Sequence, residues 1–196
     1  MAMRLQELHP SMVHYPIALL PVSLAADTLG LLTRNRSLLE LGRLTMPIAA
    51  ASAALAGILG LIAQEVVDTD EESAEMLATH RTLNLALIGV AGAMAIKRFG
   101  EKKPEPGYLA LGAGGLAAMI YSAYLGGQMV YEHGVGVRAA GGLHDEVAPP
   151  LTQPGRAARM SAKHVAVAAR HVVEDTMAGQ LVPTLVTERF ARSTPG

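Results

Sequence analysis

The 196-residue chain has no cysteine, no tryptophan and only two phenylalanines. Without thiols it can form no disulfide, thiolate zinc site, cysteine-ligated iron–sulfur cluster, c-type haem attachment or cysteine nucleophile. With so few aromatic rings, any interior must be aliphatic. Charge is scarce too: 17% of residues are Asp, Glu, Lys or Arg, against roughly 25% in an ordinary soluble domain. A net charge of −1 gives no general case for nucleic-acid binding. No nucleophile elbow, phosphate loop or dinucleotide fingerprint occurs, so the chain reads as not an enzyme by itself.

Apolar sequence is what the chain has in abundance, with 51% hydrophobic residues and a mean hydropathy of +0.30. Four stretches approach the roughly 20 residues a bilayer-crossing helix needs: 13–32, 45–63, 80–97 and 108–131. The third borrows His80, Arg81 and Thr82 to reach length. The expected fold is therefore all-α, an integral membrane four-helix bundle over 1–137 with an extramembrane tail over 138–196. Within the tail, 145–155 reads as a linker and 156–180 as an amphipathic helix, with Met160, Val165, Val167, Val172 and Met177 among arginines and histidines. The first span is not read as a signal peptide. Only Arg4 precedes it, Arg34 and Arg36 follow it, and its apolar run passes Asp27 to reach Leu32.

Small residues supply the packing surface. Ala53 with Gly57 and Ala56 with Gly60 form small-xxx-small pairs, and Gly112, Gly114, Gly115, Ala118, Gly126 and Gly127 line the fourth span. In lipid, where apolar association gains little, such residues let backbones approach and gain van der Waals contact. Pro21 is expected to kink the first span and free a carbonyl.

Orientation follows from the short loops. Arg34, Arg36, Arg43, Lys97, Arg98, Lys102 and Lys103 fall on one side, against Arg4 and Arg81 on the other. The positive-inside rule puts the basic loops in the cytoplasm, and both termini with the loop 64–79 outside.

That topology gathers polar residues at the outer face. His9 and His14 open the first span, Glu65 and Asp68 follow the second, His80 opens the third, and Glu132 and His133 end the fourth. Imidazole suits iron, copper, zinc and nickel, and histidines on facing helices are a bundle's means of holding haem or a metal. The expected cofactor is b-type haem, held by His80 with either His14 or His133. The alternatives are a divalent metal on His9, His14, His80 and His133, supported by Glu65, Asp68 or Glu132, or no cofactor at all. Simple helix capping competes with ligation at each histidine.

Three further residues stand apart. Asp27 lies towards the cytoplasmic end of its span, where pairing with Arg43 or a backbone group is preferred to a role in proton movement. Tyr124 and Gln128 share a helical face with Tyr121 and Tyr131, as pocket lining or as interfacial anchors. The acidic run 70–75 reads as a solvated loop.

Several of these segments carry a family resemblance. The opening HPSMVHYPIALLPVSLAADTLG, the third-span His80 and the late GGQMVYEHGVGV resemble the predicted bacterial membrane proteins known as domain of unknown function 2231. The usual pattern is His-Pro, then Val-His-Phe-Pro-Ile, closing on Gly-Gly and Val-Tyr-x-x-Gly-Val; here Tyr15 replaces the commoner phenylalanine. The resemblance runs from His9 to Val137 and implies a four-helix domain in a bacterial inner membrane. It supplies no activity, but the occurrence of members beside cytochrome-like modules implies redox chemistry by association. The expected function is electron transfer through the histidine cluster. The alternative is a cofactor-free accessory subunit of a larger membrane complex. Expected partners are membrane lipid and other membrane subunits or a second copy of the chain, with no nucleic acid. A transporter using Asp27 is the weakest reading, because one deep acid makes a poor relay.

Overall fold

In a computed structural model of the chain, residues 7–137 and 152–177 are described. The helices are α1 (Leu8–Met12), α2 (His14–Thr33), α3 (Arg36–Ala63), α4 (Glu71–Gly100), α5 (Pro106–Tyr131) and α6 (Pro154–Met177), with a 3-10 turn at Gln64–Val66. Four segments are long and apolar enough to cross a membrane: Leu8–Thr33, Arg36–Val66, Glu71–Gly100 and Pro106–Tyr131. The all-α, four-span architecture is thus as expected, and there is no strand among the described residues. Residues 145–151 of the expected linker and 178–180 of the expected tail helix lie outside the described residues.

Local chemistry sets the helix ends. Arg34 takes the left-handed conformation at φ 56°, and the Asn35 amide bonds back to the Gly30 carbonyl at 3.0 Å. Asn35 then caps α3, its side-chain oxygen accepting from the Ser37 amide at 2.9 Å. Both Pro21 and Pro47 lie inside continuous helices.

The start of α4 departs from the sequence reading. Rather than a loop, 71–75 is the first turn of a helix that begins at Glu71. Asp70 is the reason: its carboxylate accepts from the Ser73 amide at 2.7 Å and the Ser73 hydroxyl at 2.6 Å. Glu71 and Glu72 then lie where the helix dipole favours anions. An acidic run that looks solvated by hydropathy is a helix start by capping.

The chain divides into two compact units. The bundle unit, Glu7–Leu59 with Leu83–Ser122, holds segments of α2, α3, α4 and α5 around Leu24, Met46, Met94 and Tyr108. Glycines permit its close crossings: a Cβ on Gly112 would stand 2.4 Å from Leu24 Cδ1, and one on Gly57 2.4 Å from Ile88 Cδ1. Gly114, by contrast, has open space beside it. A hydrogen bond of 2.7 Å from the Asn84 amide to the Ser122 hydroxyl ties α4 to α5.

The second unit contains Gly60–Thr82 and the described residues of Ala123–Gly196. Its apolar centre is Met76, Met129 and Val135. Val135 reaches that centre because α5 ends in a left-handed Gly134 at φ 65°, with the Val135 amide bonded to the Met129 carbonyl at 2.9 Å. Pro154 starts α6 where its missing N–H costs nothing. The buried residues of α6 are Ala157 and Ala168, whereas Met177 is 83% exposed.

Candidate functional site

Two polar centres stand out. The first, in the bundle unit, is the one whose partner the sequence reading missed. Asp27 on α2 and Arg98 on α4 are both 0% exposed. Arg98 Nε donates to both Asp27 carboxylate oxygens at 3.0 Å, and Nη2 donates to Asp27 Oδ1 at 2.8 Å. Nη2 also donates to the Leu39 carbonyl at 2.7 Å and Nη1 to the Glu101 carbonyl at 2.5 Å. Beside them the Ser23 hydroxyl donates to the Gly42 carbonyl at 3.0 Å. Gly42 is what lets α3 pass so close, since a Cβ there would stand 2.3 Å from Asp27 Oδ1. The Tyr108 hydroxyl is buried beside Asp27 and Ser23.

This corrects two sequence readings. Asp27 does not pair with Arg43, which is held on its own helix by Glu40 with Nε at 3.0 Å. Nor is Arg98 a loop charge, because α4 continues to Gly100 and keeps Arg98 inside the helix. The signal available was that a lone acid in a span requires a cation at the same depth. Basic residues from two loops lie on that side of the sequence, and helix rotation separates Arg98 from Arg43.

The second centre consists of the histidines, and the two units divide them. His9 and His14 belong to the bundle unit; His80 and His133, with Glu65, Asp68 and Glu132, belong to the other. Three of the four imidazoles share one arrangement. His9 Nδ1 lies 2.9 Å from the Ala56 carbonyl, His14 Nδ1 lies 3.3 Å from the Ser11 carbonyl, and His133 Nδ1 lies 3.1 Å from the Asp70 carboxylate. Carbonyls and ionised carboxylates only accept, so Nδ1 carries a proton in each ring, and Nε2 is the nitrogen on which the neutral ring has its lone pair. Asp70 is ionised because its carboxyl is held down at about 2, first by the Ser73 hydroxyl and amide and then by His133. His80 faces α5 where Gly126 clears the way: a Cβ there would stand 3.4 Å from His80 Cε1.

The remaining candidates are dispersed. Glu65 takes a hydrogen bond from the Gln64 side-chain amide at 2.9 Å and faces His171 at 3.7 Å. Asp68 and Gln128 are half-buried, Glu132 is exposed, and Tyr124 and Tyr131 are 48% and 89% exposed on α5, which suits interfacial anchoring. Among the described residues, no group of three or more His, Asp or Glu side chains is arranged around a metal position. One cleft of the bundle unit is apolar, walled by Leu20, Leu87, Val90, Met94 and Leu116 among others.

A family model described as a predicted membrane protein, DUF2231, matches residues 6–139. The chain belongs to that family. No curated protein and no solved structure matches the chain. The DUF2231 match takes in Asp27, Arg98 and the four histidines of the first span to the last, and ends before α6.

Proposed function

We propose that this DUF2231 protein is a bacterial inner-membrane electron carrier with both termini outside, whose outward histidines hold a b-type haem. The observation behind this reading is the anchoring of Nδ1 on His9, His14 and His133, which leaves Nε2 as the nitrogen each ring can offer to iron. His133 is the strongest case, because a carboxylate behind an imidazole fixes the tautomer and raises ligand basicity. His80 and His133, from one unit, are the pair assigned to the iron; the missing side chain of Gly126 lets the His80 ring lie against α5. The haem would supply one-electron chemistry, while the chain's share is ligation, orientation and an aliphatic surround.

Oxidised and dithionite-reduced visible spectra of protein purified in mild detergent, with metal analysis, test the reading. A sharp reduced alpha band, with about one iron per chain, is expected; it should be lost in His80→Ala and His133→Ala. Asp70→Asn should keep the band and shift the midpoint potential. A flat spectrum with stoichiometric zinc, copper or non-haem iron would instead assign the imidazoles to a divalent metal.

A second reading is favoured by the lipid-facing surface. Only 17% of the apolar windows of α4 and α5 is buried, against 28% and 33% for the first two spans. Gly89 and Gly92 on α4 have open space beside them. A cofactor-free accessory subunit would set such surfaces against other membrane helices. A flat, metal-free spectrum together with a stoichiometric co-purifying membrane protein would select it.

A further inference from the structure

Arg81 directly follows His80 on α4 and takes no part in the proposed ligation. Its side chain is 10% exposed. Nη1 donates to Gln64 Oε1 at 3.3 Å, and Nη2 donates to the carboxylate of Asp175 on α6. Nε is buried and has no hydrogen-bond partner among the described residues. A guanidinium binds a carboxylate best by two parallel N–H bonds, one of them from Nε. Here one prong of the fork is taken and the other is empty, and a buried donor left unpaired carries its desolvation cost.

The arrangement around the arginine points the same way. The Gln64 amide is held by Glu65 at 2.9 Å, which turns Gln64 Oε1 to Arg81. Glu65 in turn faces His171 at 3.7 Å rather than the arginine. Among the described residues the guanidinium therefore bonds one neutral oxygen and one carboxylate, and that carboxylate comes from a separate helix, 94 residues away and 30% exposed.

We propose that Arg81 and Gln64 form a binding site for a carboxylate ligand, which Asp175 occupies in cis as an exchangeable stand-in. A carboxylate arriving side-on would bond Nε and Nη2 together and displace the single contact of Asp175. Release of Asp175 would free α6, so ligand binding and tail docking exclude one another. The neighbouring Glu65 disfavours multiply charged anions, which selects a monocarboxylate over sulfate or phosphate.

The test uses the full chain in mild detergent, with sodium acetate as the probe and calorimetry as the readout. Asp175→Asn removes the competitor and should tighten acetate binding by about tenfold, the factor expected if Asp175 fills the site about nine-tenths of the time. Arg81→Lys keeps the charge, loses the fork, and should lose binding. Since the protein has no cysteine, a spin label on Ala169→Cys reports α6 alone, and acetate should raise its mobility. The proposal is overturned if Asp175→Asn binds no acetate, if Arg81→Lys binds it as well as the parent, if sulfate binds equally, or if acetate binds without mobilising the label.

Discussion

Each unit of this protein sets an arginine against an aspartate, and the two pairs are built to different standards. Asp27 and Arg98 are both 0% exposed, and Arg98 donates to two carboxylate oxygens and two backbone carbonyls. Arg81 and Asp175 are 10% and 30% exposed, and the Arg81 Nε donor is unused. In the first pair the desolvation of two ions is offset by a nearly complete hydrogen-bond set. Three elements converge on it, so moving any one would orphan a buried charge. The second pair joins α4 to one helix by one contact, and water already reaches its anion. Burial and donor saturation separate a fixed joint from an exchangeable one, although the residue types are the same.

The sharpest way to break the comparison is to remove one ion from the saturated pair. Asp27→Ala leaves Arg98 buried and uncompensated, and should cost about 3–5 kcal/mol in denaturant unfolding in detergent. Replacing both partners, with Asp27→Leu and Arg98→Met, should recover most of that loss, since an apolar pair carries no desolvation term. A single variant as stable as the parent would show that water reaches the site.

Gly42→Ala probes the same joint from α3. The added methyl would stand 2.3 Å from Asp27 Oδ1, and overpacking of this kind costs about 1–3 kcal/mol. In the Asp27→Ala background the space is vacated and the penalty should largely vanish. A double-mutant cycle over the two sites measures that coupling. Additive effects would mean that α3 can shift away from the carboxylate.

The two pairs also differ in how far the sequence discloses them. Four spans are legible because a bilayer demands long apolar runs, and the runs at α2, α3 and α5 state themselves. The depth of Asp27 is legible for the same reason, but not its partner. Arg43 and Arg98 both lie near the cytoplasmic end in the sequence reading, and the choice depends on helix rotation and on Glu40 capturing Arg43. The histidines are legible as residues, whereas their anchors are not: Ala56 and Ser11 contribute only carbonyls, which every residue has. Nothing in local pattern could connect Arg81 to Asp175 across 94 residues.

The unsaturated pair should respond weakly in stability and strongly in local motion. Partly exposed ion pairs contribute about 0–1 kcal/mol, so Asp175→Asn should leave global unfolding almost unchanged. Limited proteolysis should nonetheless cut α6 faster, at Arg170 and Lys163 on its exposed face. Equal cutting rates would mean that the buried Ala157 and Ala168, rather than the ion pair, hold the helix.

The smallest effect is expected at the start of α4, where His133 Nδ1 lies 3.1 Å from the Asp70 carboxylate. The Asp70 carboxyl titrates at about 2, lowered first by the Ser73 hydroxyl and amide and then by His133. A carboxylate with a depressed folded-state value stabilises above its unfolded value, about 4, and loses that stabilisation as pH falls towards the folded value. The cap should therefore hold at neutral pH and loosen between about pH 4 and pH 2. Hydrogen exchange at the Ser73 and Ala74 amides, corrected for intrinsic rates, should rise across that window in the parent protein. In Asp70→Asn, which can still accept a bond but cannot titrate, the step should disappear while the amides exchange somewhat faster at every pH. A step that persisted in this variant would show that the Asp70 carboxylate is not the group through which acid loosens the start of α4.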